Sequence, residues 1–354
     1  MKKLICLLLI LSSLLSLTAC RTDDEDEKKY KTRSLTISNI YFNTVSAIHT
    51  YADESDENIE KWANIADETL SYYHKLFDIY YEYSGVNNIK TINRNAGKSA
   101  VKVDEEMIDF LEYCKELYTI TQGKTNVMLG SVLKLWHDCR EEAEKDFGYL
   151  NPKYLPTDEE LRAAAEHVSI DSLIINKEES TVYISDPKAS LDVGAIAKGY
   201  TVEILYNRLK AEGADSVALN IGGNLRTIGL KPGEKKWVTG ITNPDKTSDE
   251  TLACRIQIGD TAVVTSGDYE RFFIAADKKY HHIIDPATLV PAEYFASVSI
   301  ITPDSGLADA LSTALFCMSY EDGLALVESL ENVEVIWVDK ENNLKRTSGI
   351  EIVK

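Results

Sequence analysis

The stretch SLDVGAIAKGYTVEILYNRLKAEG, Ser190 to Gly213, begins like a strand and ends like an amphipathic helix closed by a glycine. At the junction, Asp192, Gly194, Lys198 and Gly199 fall within eight residues. A helix N-terminus carries unpaired N–H groups and a partial positive charge, so it suits an anion. Glycines let backbone approach a ligand closely. Lys198 sits in the first turn, where a cation opposes the helix dipole, a placement that points to a task such as holding phosphate. The alternative is a tight turn beside a solvated lysine. Neither GxxxxGK[ST] nor GxGxxG occurs here.

Working outward, the pattern alternates between helical and strand periods. Residues 35–51 carry strand-like stretches. Apolar residues at helical spacing predict helices over Glu57–Tyr83 and Val103–Lys124, the second with Asp104 as its cap. Pro156-Thr157-Asp158 before Glu160 is a capping signal for a third helix. Short strands follow at 172–176 and 181–185, then at 216–224, 236–242, 253–259 and 261–267, each bounded by turn residues. The C-terminal part reads as helices at 305–318 and 321–330 and strands at 333–339 and 349–353. No repeat, Pro-rich linker or internal charge block divides Leu35 to Lys354. The fold class is therefore α+β, one compact unit or two intimately joined halves.

The N-terminus reads as a targeting signal. MKKLICLLLILSSLLSLTAC has a basic start, an apolar run from Leu4 to Leu17, and ends Leu17-Thr-Ala-Cys20. It is too short for a stable span. The ending resembles a bacterial lipobox, with Cys20 lipidated; the alternative is a plain signal peptide ending in cysteine. The expected division is a signal over 1–19, a disordered lipidated tether over 20–34, and a folded domain over 35–354. That places the chain lipid-anchored on the extracytoplasmic side of a bacterial cell membrane. Net charge is 38 − 57 = −19. No basic stripe alternates with aromatics, which argues against a nucleic-acid partner. Cys114, Cys139, Cys254 and Cys317 show no CxxC or CxxH spacing, so zinc is not suggested.

Other segments could join the junction. Asn220-Ile-Gly222-Gly223-Asn224 follows a strand and again offers close backbone approach, or a simple turn. Thr265 to Arg271 supplies hydroxyls and a guanidinium. His281-His282-Ile-Ile-Asp285-Pro286 places a His and an Asp around two isoleucines, a cleft-facing strand end or a satisfied structural pair. Asp309 and Thr313 share one helix face at i, i+4 and are hard oxygen ligands suited to Mg²⁺ beside phosphates. Taken together these segments read as a metal-assisted site for a phosphate-containing molecule.

These elements, in this order, resemble the ApbE-type flavin transferases, which move FMN from FAD onto a threonine or serine of a target protein. The likeness spans nearly all of Leu35 to Lys354. It rests on Asp192, Gly194 and Ile196-Ala-Lys-Gly199; on Asn220, Gly222 and Gly223; on Ser266, Gly267, Tyr269 and Arg271; on His282 to Pro286; and on Ala308 to Ala314. The resemblance implies a domain of mixed, largely antiparallel sheets with flanking helices. It implies that Asp192 and Lys198 hold FAD, that the Ala195 carbonyl joins Asp309 and Thr313 around Mg²⁺, and that His282, oriented by Asp285, assists the chemistry. Phe42 would border the flavin or adenine, Tyr80 would stack, and Thr125, Asn126 and Ile283 would contact FAD. Four positions depart from the pattern: Phe42-Asn43 replaces Met-Gly, Asn126 stands for Asp, and Leu289 stands for Gly. The expected activity is Mg²⁺-dependent FMN transfer to a protein acceptor with release of AMP. Two rivals share the junction: hydrolysis of FAD to FMN and AMP, and non-catalytic FAD carriage.

Overall fold

A computed structural model describes residues 32–51 and 54–353. The signal, Cys20 and most of the tether lie outside the described residues. The chain opens with strands β1 (Thr32–Tyr41) and β2 (Thr44–Tyr51), followed by helices α1 (Asp56–Leu76) and α2 (Ile89–Arg94). Then come β3 (Val101–Lys102), α3 (Glu105–Ile120), α4 (Gly130–Glu144), α5 (Asp158–Ala165), β4 (Leu173–Asn176) and β5 (Thr181–Ile184). Helix α6 (Ala197–Ala211) leads to β6 (Val217–Ile221), β7 (Asn224–Ile228), β8 (Trp237–Thr242), β9 (Leu252–Ile258), β10 (Ala262–Gly267), β11 (Phe272–Ala275) and β12 (Lys278–His281). The chain finishes with β13 (Ser297–Thr302), α7 (Ser305–Phe316), α8 (Tyr320–Glu328), β14 (Glu334–Val338), β15 (Leu344–Arg346) and β16 (Ile352–Val353).

The central sheet has eight strands in the order β1-β2-β6-β7-β10-β13-β14-β15. Each pairing between these strands is antiparallel. Period-2 alternation sorts its side chains between two layers. Val217, Leu219 and Ile221 pack on α1 and α6, and Val264, Val335 and Trp337 share a core with α7. Ala218, Val263, Ile336 and Val338 point the other way, onto the three-stranded sheet β16-β9-β8. A third core joins α2, α3 and the β3-β5-β4 sheet to Leu191, Val193 and Ile196 of the junction. A fourth packs α4 and α5 on the β11-β12 hairpin. The α+β reading is thus realised with antiparallel pairing throughout these sheets.

Several boundaries differ from the sequence reading, each for a local reason. β1 starts at Thr32, three residues inside the expected tether. The first helix stops at Leu76 rather than Tyr83, because the Asp78 carboxylate accepts the Tyr80 and Tyr81 amides at 2.6 and 3.0 Å and turns the chain. Asp104 holds the cap position of α3, yet its side chain makes no cap bond and receives the Tyr72 hydroxyl at 3.2 Å. The capping box of α5 forms between Thr157 and Glu160. Ser190 makes only an isolated bridge to Leu129, so the stretch that opens like a strand is a loop laced to its neighbours. Helix α4, not identified from sequence, starts at Gly130 after Leu129, which offers no side-chain cap.

Candidate active site

The junction is held in place before α6 begins. The Asn93 side chain clamps both backbone groups of Leu191, at 2.7 and 2.9 Å, and the Asp192 amide donates to the Val127 carbonyl at 2.8 Å. Asp192 Oδ1 accepts the Gly194 amide at 3.0 Å. Ile196 is the N-cap of α6 and has no group to offer the first turn. Asp309, from the middle of α7, supplies it: its Oδ2 accepts the Gly199 amide at 2.8 Å. A Cβ on Gly199 would stand 2.3 Å from the Ser305 carbonyl oxygen and 2.6 Å from the Asp309 Cβ, so glycine is required for the two helices to meet.

Lys198 Nζ lies 3.0 Å from Asn224 Oδ1 and 3.6 Å from Asp309 Oδ1. Asn224 closes the β6–β7 turn, in which Gly222 and Gly223 have φ of 57° and 88°. Gly222 packs on Thr44, just after the β1–β2 turn. There Phe42 and Asn43 also adopt positive φ, 52° and 56°. Asparagine tolerates this conformation, which explains how it stands where the family pattern has glycine. Leu289 is a second such exchange, at φ 66°, pinned by its amide on the Asp285 carbonyl and by Trp136 Nε1 on its own carbonyl. Phe42 packs edge-on against His74.

The facing wall comes from α4, the loop after α1, and the segment around β11. His137 Nε2 is 3.7 Å from Asp192 Oδ2, and the Tyr80 hydroxyl is 3.5 Å from His137 Nδ1. Burial lowers His137 below the ordinary histidine value, with Asp192 opposing. Burial and then the Asp192 charge raise Tyr80, whose hydroxyl also engages Arg140. Arg140 and Arg271 both act electrostatically on His282. His137 and Arg140 were not identified from sequence. Their signal was a histidine and an arginine at i, i+3 on one helix face.

His282 sits just past β12. Its amide donates to the Arg271 carbonyl at 3.1 Å, and its Nδ1 lies 3.2 Å from the same oxygen. Loss of hydration, then the Arg271 guanidinium, pushes it down to about 3, so the ring is neutral. The orienting partner is thus a backbone carbonyl rather than Asp285. Asp285 is buried and paired with Lys124 at 2.8 Å. Its Oδ1 also takes the Ala287 amide at 3.0 Å, which makes it a turn-former.

Three further residues expected at FAD have partners within the protein. Thr125 is buried and its hydroxyl donates to the Ala310 carbonyl at 2.7 Å. Asn126 donates to the Val168 carbonyl and accepts the Met128 amide. Thr125 braces the loop against α7, and Asn126 braces it against the segment after α5. Ile283 lies in the α7 core, its amide on His281 Nδ1 and its carbonyl accepting the Ala292 amide. Thr313 shares the α7 face of Asp309, and Ala195 lies just before the α6 cap.

The fold and these contacts define an α+β protein in which the Asp192–Lys198 junction and its helix N-terminus meet a cluster of His137, Tyr80, Arg140, Arg271 and a neutral His282, groups suited to a phosphate-bearing ligand. The ApbE family model matches residues 42–337, and the chain belongs to that family. It is 32% identical over 276 residues to the FAD:protein FMN transferase of Treponema pallidum, covering 74% of this chain and 73% of the relative. The FAD:protein FMN transferase of Klebsiella pneumoniae is 28% identical over 284 residues, covering 78% and 84%. Among solved structures, the ApbE protein of Thermotoga maritima superposes with a TM-score of 0.76 at 27% identity, covering 90% of this chain and 98% of that one. The flavin transferase ApbE of Vibrio cholerae gives 0.72 at 25% identity, covering 90% and 97%.

Proposed function

We propose that this protein transfers FMN from FAD to a hydroxyl of a target protein. The observation that carries the reading is the Asp309 carboxylate on the Gly199 amide with Lys198 alongside, which draws two of the family's segments to one point. Lys198 and the α6 N-terminus would take the pyrophosphate charge. His282 keeps Nδ1–H on the Arg271 carbonyl, so Nε2 has the free lone pair and can accept the proton of a threonine or serine hydroxyl. That oxygen bonds to the FMN-side phosphorus as the bond to the AMP-side oxygen breaks, and AMP leaves. Arg271 and Arg140 offset charge near the same ring.

Asp309, Thr313 and the Ala195 carbonyl make a hard-oxygen donor set, and one carboxylate with neutral oxygens fits the way Mg²⁺ is held beside phosphates. Mg²⁺ bound there would neutralise the pyrophosphate as charge develops. Cys20 would anchor the domain at the extracytoplasmic membrane face, where the acceptor protein would meet it. The test mixes protein, FAD, Mg²⁺ and a candidate acceptor domain, followed by in-gel flavin fluorescence. Covalent fluorescence on the acceptor supports transfer. Free FMN without labelling would mean hydrolysis, and unchanged FAD would mean carriage.

A further inference from the structure

Helices α6 and α7 run antiparallel and cap each other. Asp309 of α7 accepts the Gly199 amide in the first turn of α6. One turn along each helix, Glu203 of α6 accepts the Ser305 amide, the first residue of α7, at 2.9 Å. Gly199 and Glu203 share one face of α6, as Ser305 and Asp309 share one face of α7. The two bonds are therefore rungs of one ladder, and a slide of either helix along the other breaks both.

Glu203 is itself held rigidly. Arg226 of β7, only 3% exposed, reaches it through Nε at 3.1 Å and through its second terminal nitrogen at 3.3 Å. The same guanidinium lies 3.5 Å above the Tyr206 ring and donates to Asp260 at 2.8 Å. A buried arginine held by three partners turns a flexible glutamate into a fixed acceptor. The α7 N-terminus has its own side-chain cap, with Asp304 taking the Leu307 amide at 2.9 Å. Glu203 is thus not needed for α7 to start; what it adds is where α7 starts relative to α6.

We propose that Glu203 is a positioning residue of the transfer reaction: through the Ser305 amide it sets the register of α7 on α6, and so holds Asp309 on the Gly199 amide beside Lys198. This rests on the proposed transfer for its kinetic consequence, though the clamp itself does not. A displacement of about 1 Å at a reacting centre can cost about 10²-fold in rate.

The experiment compares Glu203→Ala, Glu203→Gln and Ser305→Pro in the full chain. Glutamine keeps an oxygen for the Ser305 amide. Proline removes that amide at a first helical position, where proline is well tolerated, and leaves Glu203 and Arg226 untouched. Two quantities are read: kcat and KM for FAD in transfer, and hydrogen exchange at the Gly199 amide without substrate. Glu203→Ala and Ser305→Pro should each lower kcat by about 10-fold or more with KM for FAD held within about twofold, and glutamine should recover most of the loss. Gly199 exchange should accelerate in the first two and stay slow in the third. A parental kcat with slow Gly199 exchange in either disruptive variant overturns the proposal. If Glu203→Ala does not fold, Ser305→Pro alone carries the same two outcomes. Failure of the parent protein to label any acceptor would refute the transfer reading, and the exchange comparison would still decide the clamp.

Discussion

The imidazole of His282 places Nδ1 3.2 Å from the carbonyl oxygen of Arg271, the residue whose guanidinium also depresses its basicity. A carbonyl can only accept, so Nδ1 carries the proton and Nε2 keeps its lone pair. The tautomer a general base needs is set by backbone.

Chemistry and binding separate at His282 and Lys198. A general base acts only in the transition state, so His282→Ala should lower transfer by roughly 10²–10⁴-fold and leave FAD affinity nearly unchanged. Phosphate charge is present in both states, so Lys198→Ala should weaken FAD binding itself. Flavin-fluorescence titration and single-turnover transfer give the two quantities. Parental transfer by His282→Ala would make the histidine a structural residue.

Acid should destabilise the protein early. His282 and His281 fall to about 3 and about 4 from an ordinary 6.5, both chiefly through burial. His49, His74 and His137 shift the same way. Between the folded values and 6.5 the unfolded chain binds more protons, so stability is full above 6.5 and declines as pH falls through that window. Thermal melts from pH 7.5 down to about 4.5 check this. A flat melting temperature across that range contradicts the assignment.

Asp309 has two tasks that can be split. Asp309→Asn keeps an oxygen for the Gly199 amide but loses the charge, and Asp309→Ala loses both. Both should lose Mg²⁺-dependent turnover by roughly 10²-fold or more. Only alanine should also lose the cap, about 1 kcal/mol of stability in urea titration. Turnover near the parent level in well-folded Asp309→Asn would put the metal elsewhere.

Gly199→Ala tests the helix contact. The added methyl meets the Ser305 carbonyl at 2.3 Å, and backbone cannot step aside locally. The helices should be forced apart at a cost of about 1–3 kcal/mol, with transfer falling in parallel. A variant as stable and active as the parent would show that the close approach is not needed.

Cys20→Ser should release the protein from membranes while leaving the soluble activity intact. Fractionation of cells expressing the variant gives the answer, and an unchanged membrane share rules out lipid anchoring through Cys20.

By itself the sequence determined the local pieces and the chemistry they carry. Capping residues, helical periods and turn glycines are short-range signals, so α5, α6, α7 and the Gly222-Gly223 turn stand where their patterns put them. Asp309 and Thr313 were legible as a pair because i, i+4 spacing alone places them on one face. Tertiary structure decided what those groups do to one another. Which carboxylate would cap α6 could not be read, because Ile196 offers nothing and the acceptor lies 110 residues away. Asp285 looked like the partner of His282 from three residues' distance, yet the fold gives Asp285 to Lys124 and His282 to a carbonyl. His137 and Arg140 came to Asp192 and His282 only because α4 packs on the β11-β12 hairpin. Local conformation is fixed by neighbours in sequence. The partners of a buried charge or an uncapped amide are fixed by whichever group the packed chain brings within hydrogen-bond reach, because leaving either unpaired away from water is too costly.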